Sequence, residues 1–234
     1  MLKKIPNKNM HFANEGWLES HFHFSFAQYR NFDNMNFGVL RVLNDDIIHA
    51  NSGFDTHPHK DMEIISYVVN GEITHKDSMG NEDTLKRGEV QYMSAGSGVF
   101  HSEHNKTNKD LRLLQIWILP PKNNLTPIYG QKKYEQNQSK NKLLNIVSSQ
   151  EGNSDVKIHQ DINMYVSQLE SNKNLDFIIN KNRQVYFVQI EGSSDVNGCE
   201  LNHGDAMEIK QEEKLNITAQ SDSHFLFIEM KEEF

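Results

Sequence analysis

Residues 63–71 read EIISYVVNG, and this stretch decides the class of fold that the sequence predicts. Its first seven residues are rich in β-branched side chains, which favour strands. Asn70-Gly71 follows as a strong turn signal, so we expect a hairpin whose return strand spans residues 72–76. Further along, residues 111–119 (LRLLQIWIL) have the length and apolar character of a buried strand.

Short strands separated by turn signals recur through the rest of the chain, and no stretch has a long 3.6-residue period. This pattern predicts an all-β protein built as a sandwich or barrel. Residues 121–142 are polar and interrupt the strand pattern, which indicates a connector between two units of about 100 residues each. The pattern VVNG…KRGEVQYM returns as VQIEG…NHGDAMEI, as a duplicated architecture would predict.

Composition excludes several classes of protein. The chain has 234 residues with 24 Lys and Arg against 32 Asp and Glu, so its formal net charge is -8. Without a basic field we expect no direct binding to nucleic acids. The mean hydropathy is -0.70, and no apolar run approaches the roughly 20 residues that cross a bilayer.

The location of the protein follows from two further features. The first ten residues, MLKKIPNKNM, contain no apolar region that would make them a secretory signal. Cys199 is the single cysteine, so the chain has no intramolecular disulfide framework. We therefore expect a cytoplasmic protein that does not bind membranes.

The twelve histidines are the most distinctive feature of the composition, and two of them lie close together in residues 53–71. His57 and His59 are two positions apart, so on a strand their side chains share one face. Pro58 between them cannot donate a ladder hydrogen bond, which indicates an edge strand or a strand start. Glu63 follows four residues after His59 and could share that face.

A second segment, residues 88–105, repeats this arrangement. It reads GEVQYMSAGSGVFHSEHN, and His101 and Glu103 again share one strand face. Three imidazoles and one carboxylate suit Fe, Mn, Ni, Cu or Zn better than Ca or Mg. Four protein ligands would leave coordination positions open for catalysis. Each histidine alone would more often be a surface or hydrogen-bonded core residue, and it is the two pairs together that favour a metal site.

These segments resemble a known family. The spacing of Gly53, His57, His59, Glu63 and Gly71 is close to the first cupin motif, and residues 88–105 are close to the second. More specifically, HPH, HKDSMGN and QYMSAGSGVFHSE resemble the pirin family, and the similarity extends over most of the chain. The resemblance implies a bicupin of two antiparallel β-barrels (double-stranded β-helices). Residues 1–130 would form a metal-binding cupin domain, and residues 131–234 a cupin domain without metal ligands.

The resemblance also implies roles for particular residues. The metal ligands fall on His57, His59, His101 and Glu103. Glu63 matches the glutamate of the general cupin motif, but pirin-like proteins take their fourth ligand from the His-Ser-Glu position. We therefore expect Glu63 to orient one of the metal ligands without binding the metal itself.

Three further residues are candidates for the surroundings of the metal. His75 follows the turn at residue 71 and lies either near the mouth of the site or on the surface. Met93 and Gln115 could contact a substrate, although ordinary packing in the barrel would also explain them.

The function that the resemblance implies is that of a quercetin 2,3-dioxygenase. Such an enzyme uses O2 to open the heterocycle of a flavonol, a small aromatic substrate, and releases carbon monoxide. Fe(II) is the expected metal, with Mn, Cu, Ni, Co or Zn as the other candidates. Glu103 would act as the general base on the flavonol hydroxyl.

A second hypothesis comes from another class of function. Some members of the pirin family are regarded as regulators, so this chain could be a metal- or redox-dependent binding protein with a protein partner. An isomerase that needs no redox metal is a further alternative. A metal-free cupin that binds small molecules is contradicted by the intact set of four ligands.

Overall fold

The structure is a computed structural model that describes residues 1–232, and within them every regular element except two short 3-10 turns is a strand. The turns span Asn7–Asn9 and Gln136–Gln138. The strands, in chain order, are β1 (Leu2–Ile5), β2 (His11–Asn14), β3 (Leu18–Phe22), β4 (Leu40–Ile48), β5 (Ser52–His59), β6 (Glu63–Asn70), β7 (Glu72–Asp77), β8 (Glu82–Lys86), β9 (Val90–Ser94), β10 (Val99–Asn105), β11 (Leu111–Ile118), β12 (Ile128–Lys132), β13 (Leu144–Ser149), β14 (Lys157–Ile158), β15 (Ile162–Leu169), β16 (Asn174–Ile178), β17 (Arg183–Glu191), β18 (Ser194–Val196), β19 (Cys199–Leu201), β20 (Ala206–Ile209), β21 (Lys214–Ala219) and β22 (Ser223–Lys231). The predicted all-β class is confirmed.

The first compact unit comprises residues 11–134 together with residues 158–160. Its seven-stranded sheet has the order β12-β9-β6-β11-β4-β3-β2, and its four-stranded sheet has the order β5-β10-β7-β8. Both sheets are antiparallel. One core cluster combines Ile73 and Leu85 of the smaller sheet with Val68 and Leu113 of the larger one. The two sheets therefore face each other across a shared apolar core, as in a cupin.

The turn at Gly71 differs from the predicted hairpin. β6 and β7 do not pair with each other, because β6 lies between β9 and β11 while β7 lies between β10 and β8. Gly71 has a φ of 85°, and a Cβ there would lie 2.9 Å from the Cα of Leu111. The Asn-Gly signal thus marks a corner at which the chain passes from one sheet to the other. A corner and a hairpin turn need the same left-handed residue, so the sequence alone did not distinguish them.

The second compact unit comprises residues 1–10, 135–157 and 161–234. Residues 233 and 234 lie outside the described residues. It also contains a seven-stranded sheet (β1-β20-β17-β22-β15-β13-β14) and a four-stranded sheet (β16-β21-β18-β19). Its core is filled by apolar side chains such as Phe187, Phe225 and Phe227. His203, in the turn before β20, is exposed. The described part of this unit brings together no group of three potential metal ligands.

The first ten residues belong to the second unit because β1 pairs with β20 along its whole length. Residues 158–160 belong to the first unit. The predicted domains, residues 1–130 and 131–234, stay a prediction, since compactness alone does not show which segments fold together. No helix within residues 1–232 has the length and apolar character needed to span a bilayer.

Candidate metal centre

The strands that carry the predicted ligands are neighbours in the four-stranded sheet of the first unit. β10 lies between β5 and β7 and pairs antiparallel with both. His101 on β10 is opposite His57 on one side and Asp77 on the other, and Glu103 is opposite His75. The register thus brings residues 53–71 and residues 88–105 together.

His57, His59 and His101 form a compact group that we call the imidazole cluster. One ring nitrogen of each lies within 4.8 Å of those of the other two. The ring centres of His57 and His101 are 4.5 Å apart, and His59 lies 4.8 Å from both. The predicted grouping of these three histidines is therefore present in the structure.

Burial keeps two members of the imidazole cluster, His59 and His101, uncharged. It lowers the pKa of His59 to about 4, helped by the neighbouring His101 and His57, while Glu103 opposes the shift. Burial likewise lowers the pKa of His101 to about 3, helped by His57 and His75. Neutral imidazoles are the form that binds metal ions, so these two histidines can act as ligands at neutral pH.

The orientation of the His57 ring fits a metal ion. Its Nδ1 lies 2.7 Å from the backbone oxygen of Asp55, and because this oxygen only accepts, Nδ1 carries the proton. The lone pair of Nε2 then points toward Nε2 of His101, 3.1 Å away. A carbonyl that fixes the tautomer in this way is typical of histidine ligands. The donor chemistry of the cluster therefore fits a transition metal.

Glu103 lies beside the imidazole cluster but groups differently. Its carboxylate is within 4.8 Å of ring nitrogens of His75 and His101. The register of β10 against β5 shifts between His101 and Glu103, whereas its register against β7 is regular. Glu103 is almost fully buried. The structure thus places the predicted fourth ligand next to the cluster, on the side of His75.

A row of polar side chains holds the Glu103 carboxylate. Gln115 Nε2 donates to its Oε2 at 2.7 Å, and Gln91 Nε2 lies 3.5 Å from its Oε1. The Ser66 hydroxyl is 3.1 Å from Glu103 Oε1 and 2.9 Å from Gln115 Oε1, and it can donate to one of them at a time. Ser66 is opposite both Gln91 and Gln115 in the larger sheet, so these three side chains align across it.

From the sequence, Gln91 and Gln115 could both contact a substrate, although ordinary packing in the barrel would explain each of them, and Ser66 gave no prediction. A signal for all three was available. Each is a polar residue with an apolar or aromatic residue on either side, in EIISYVV, EVQYM and LRLLQIWIL. A buried polar group needs a partner, so such positions mark a polar interior.

Glu63 has other partners than the metal ligand that we expected it to orient. Its buried carboxylate accepts hydrogen bonds from the Tyr92 hydroxyl at 2.6 Å and from the backbone N–H groups of His159 and Gln160 at 2.8 and 2.9 Å. His159 Nδ1 lies 3.0 Å away. Glu63 therefore anchors residues 159–160 within the first unit. The cupin spacing gave no hint of His159 and Gln160, because they lie nearly 100 positions further along the chain.

His75 and Met93 are both completely buried. The alternative that His75 lies on the surface is wrong: its ring stacks on Tyr129 and its Nδ1 is 3.5 Å from Nδ1 of His101. Met93 packs in an apolar cluster with Val99 and others. Contact between Met93 and a substrate stays a prediction.

Trp117 connects the imidazole cluster to a cavity. Its ring meets the ring of His59 edge to face, with centres 4.9 Å apart, and the ring of Phe26 at 5.4 Å. Trp117 and Phe26 also line a cavity of about 280 Å³, together with Tyr29, Arg41 and neighbouring residues. Trp117 therefore lies between the cluster and this cavity.

Two family comparisons cover most of the chain. Residues 6–118 match the family described as Pirin. Residues 145–230 match the family described as Quercetinase C-terminal cupin domain.

Individual proteins are similar along almost the whole length. The chain is 41% identical over 219 residues to a quercetin 2,3-dioxygenase from Escherichia coli (strain K12), covering 93% of this chain and 94% of that protein. It is 38% identical over 230 residues to a pirin-like protein from Caulobacter vibrioides, covering 98% and 99%. The solved structure of the bacterial pirin YhhW from Escherichia coli in complex with nickel(II) superimposes with a TM-score of 0.94, at 37% identity and complete coverage of both chains.

Proposed function

This chain belongs to the pirin family, and from that relationship we propose that it is a metal-dependent dioxygenase that opens the heterocycle of a flavonol with O2 and releases carbon monoxide. The observation that carries the proposal is the convergence of three imidazoles, two of them kept neutral by burial, beside a buried carboxylate. A relative named quercetin 2,3-dioxygenase, 41% identical over 93% of the chain, supports the same substrate class.

The residues that would hold the metal are His57, His59 and His101, with Glu103 as the fourth ligand. The three imidazoles offer nitrogen lone pairs within 4.8 Å of one another, which supports a single ion. Fe(II) is the proposed ion, and the nickel complex of the bacterial pirin supports a divalent transition metal in general. When bound, such an ion supplies positive charge that lowers the pKa of a substrate hydroxyl, and a redox couple for the reaction with O2.

Glu103 is the proposed general base. Its carboxylate accepts the proton of the flavonol 3-hydroxyl, and its place beside the imidazole cluster supports this role. Gln115 and Ser66 hold the carboxylate from behind and fix its orientation. Because these partners are neutral, they orient the carboxylate without placing a second charge beside it.

An aromatic substrate is supported by the side chains next to the cluster. Phe26, Tyr29 and Trp117 give the cavity of about 280 Å³ an aromatic lining, and Trp117 lies against His59. Stacking on these rings would orient a planar substrate and exclude water from it. We further propose that the reaction takes place in the cytoplasm, where the single Cys199 would remain reduced.

The test is an aerobic assay of iron-loaded protein with quercetin. Loss of quercetin and release of carbon monoxide are measured together, in the wild type and in His101→Ala. We expect one carbon monoxide per quercetin consumed, and loss of both signals in the variant.

A wild-type protein that retains iron but consumes no quercetin would contradict the proposal. That result would favour the alternative function, a metal- or redox-dependent regulatory protein that binds a protein partner. The alternative predicts that the ferrous and ferric forms bind the partner with different affinities.

A further inference from the structure

A buried aspartate–histidine pair lies directly behind the imidazole cluster on β7. Nε2 of His75 is 3.2 Å from Oδ2 of Asp77, and both side chains are completely buried. We propose that Asp77 and His75 are positioning residues that fix the tautomer of His101 and thereby set the metal affinity of the cluster. The proposal rests on the proposed function only in assuming that the cluster binds a metal.

Asp77 is the fixed end of this arrangement. Its Oδ1 accepts from the backbone N–H groups of Met79 and Asn81 at 2.8 and 3.1 Å, and its Oδ2 accepts from the Asn81 side chain at 2.8 Å. A carboxylate held by three donors is ionised and can only accept. The His75 nitrogen that faces it must therefore carry a proton.

The proton on Nε2 of His75 leaves a lone pair on Nδ1 of the neutral ring. Gln91 Nε2 lies 3.1 Å from this atom and donates to it. The reversed orientation of the Gln91 amide would place two acceptors face to face. The observed orientation leaves Gln91 Oε1 buried without a partner among the described residues. In this orientation the amide nitrogen faces two acceptors, Nδ1 of His75 and Oε1 of Glu103.

Nδ1 of His75 also faces Nδ1 of His101 at 3.5 Å. The His75 atom has a single lone pair, which the Gln91 amide and His101 share, and the contact with His101 is favourable only if His101 carries its proton on Nδ1. Nε2 of His101 is then unprotonated and points toward Nε2 of His57, 3.1 Å away. Both histidines thus present lone pairs to a common point, which is the arrangement that a metal ion satisfies.

Two further contacts hold the pair in place. The His75 ring stacks on Tyr129, with ring centres 4.9 Å apart and planes inclined by 21°. The Gln91 amide that donates to His75 also lies 3.5 Å from Glu103 Oε1. Gln91 therefore links the pair, which faces His101, to the carboxylate of Glu103, the other predicted ligand on β10.

The first measurement is nitrogen-15 NMR of the histidine rings in metal-free wild-type protein, in which the long-range couplings of each ring report its tautomer. We expect the Nδ1–H tautomer for His101. The Nε2–H tautomer would overturn the proposal. This measurement needs no variant and no activity, so it is independent of the proposed function.

The second measurement uses Asp77→Asn. The new amide keeps an acceptor for the backbone N–H groups of residues 79 and 81 but turns a donor toward His75. The tautomer of His75 should then invert, and that of His101 with it. We expect the affinity for Ni(II), measured by competition with a chelator, to fall about 10- to 100-fold.

The matched control is Asp110→Asn, which alters a surface pair with the same separation, 3.2 Å between Asp110 Oδ1 and His49 Nδ1. It should leave both the affinity and the His101 tautomer unchanged. Wild-type affinity in a folded Asp77→Asn protein would overturn the proposal. A wild-type protein that shows the expected tautomer but binds no metal would instead contradict the proposed function.

Discussion

The side-chain nitrogen of Gln115 lies 2.7 Å from Oε2 of Glu103, so a neutral amide on β11 holds the carboxylate that we propose as the general base. The two residues belong to different sheets of the first unit, β11 in the larger and β10 in the smaller. Their hydrogen bond therefore fixes a side chain of one sheet against the other. The orientation of the base depends on this contact, and the first prediction follows from it.

Replacing Gln115 by Leu removes a hydrogen bond to a charged group while nearly conserving volume. Such a bond is worth roughly 1.5–3 kcal/mol, so we expect turnover of quercetin to fall about tenfold or more. Metal affinity should change little, because the imidazole cluster is intact. Gln220→Leu, on an exposed turn of the second unit, is the control. Steady-state kinetics with iron-loaded protein would refute this role if both variants matched the wild type.

Glu103→Gln tests the general base itself. The amide cannot take a proton from the flavonol hydroxyl, and general-base catalysis contributes about 10²–10⁴-fold. We expect turnover to fall within that range while most of the metal is retained on the three histidines. The exposed Glu82→Gln is the matched control. Equal turnover of Glu103→Gln and wild type, at equal iron content, would rule out the role.

The histidine pairs were predictable from the sequence because strand geometry alone places residues i and i+2 on one face. The polar side chains behind these histidines were harder to predict. Ser66, Gln91 and Gln115 come from three strands, and only the register of the larger sheet shows that they align. The Gly71 corner and the partners of Glu63 also depend on pairing between distant segments, which local patterns do not report.

Asp46 on β4 gives a pH dependence of stability. Burial raises its pKa from 3.8 to about 7; the hydrogen bond from Ser20 opposes this shift, and Asp45 and Glu103 add to it. Since the pKa is higher in the folded state, the stabilising contribution is complete below pH 4 and is lost as the pH rises through 7. We expect Asp46→Asn to be more stable than wild type at pH 8.5, by roughly 2–4 kcal/mol, and equal near pH 4.

The neighbouring Asp45 is the contrast for this experiment. Its carboxylate pairs with Arg112 through two contacts of 2.8 and 2.6 Å, so Asp45→Asn should lower stability at neutral pH. Urea unfolding of both variants at pH 4.5, 7 and 8.5 measures whether each substitution raises or lowers the free energy of unfolding. If Asp46→Asn is no more stable than wild type at pH 8.5, Asp46 is not the source of the pH dependence.

Glu63→Gln tests whether Glu63 contributes to the stability of the fold or to metal binding. The new amide places a donor where the carboxylate accepts from Tyr92 and from the backbone N–H groups of residues 159 and 160. We expect the free energy of unfolding to fall by about 1–3 kcal/mol. Metal affinity should stay within about twofold, because the partners of Glu63 are not the predicted ligands. The partly exposed Glu72, in Glu72→Gln, loses only a surface pair with Lys86, so this variant should change neither quantity. A large loss of metal affinity in Glu63→Gln would restore the expected orienting role.

The most direct test of the proposed metal centre is the number of metal ions bound per chain. It is measured by titrating metal-free protein with Ni(II) and with Fe(II), under anaerobic conditions and against a competing chelator. We predict one ion per chain in the wild type and a loss of affinity of at least about 100-fold in His57→Ala and in His101→Ala. His104→Ala alters the strand position next to Glu103 and should bind as the wild type does. If His57→Ala and His101→Ala also bind one ion with wild-type affinity, the imidazole cluster is not the metal centre.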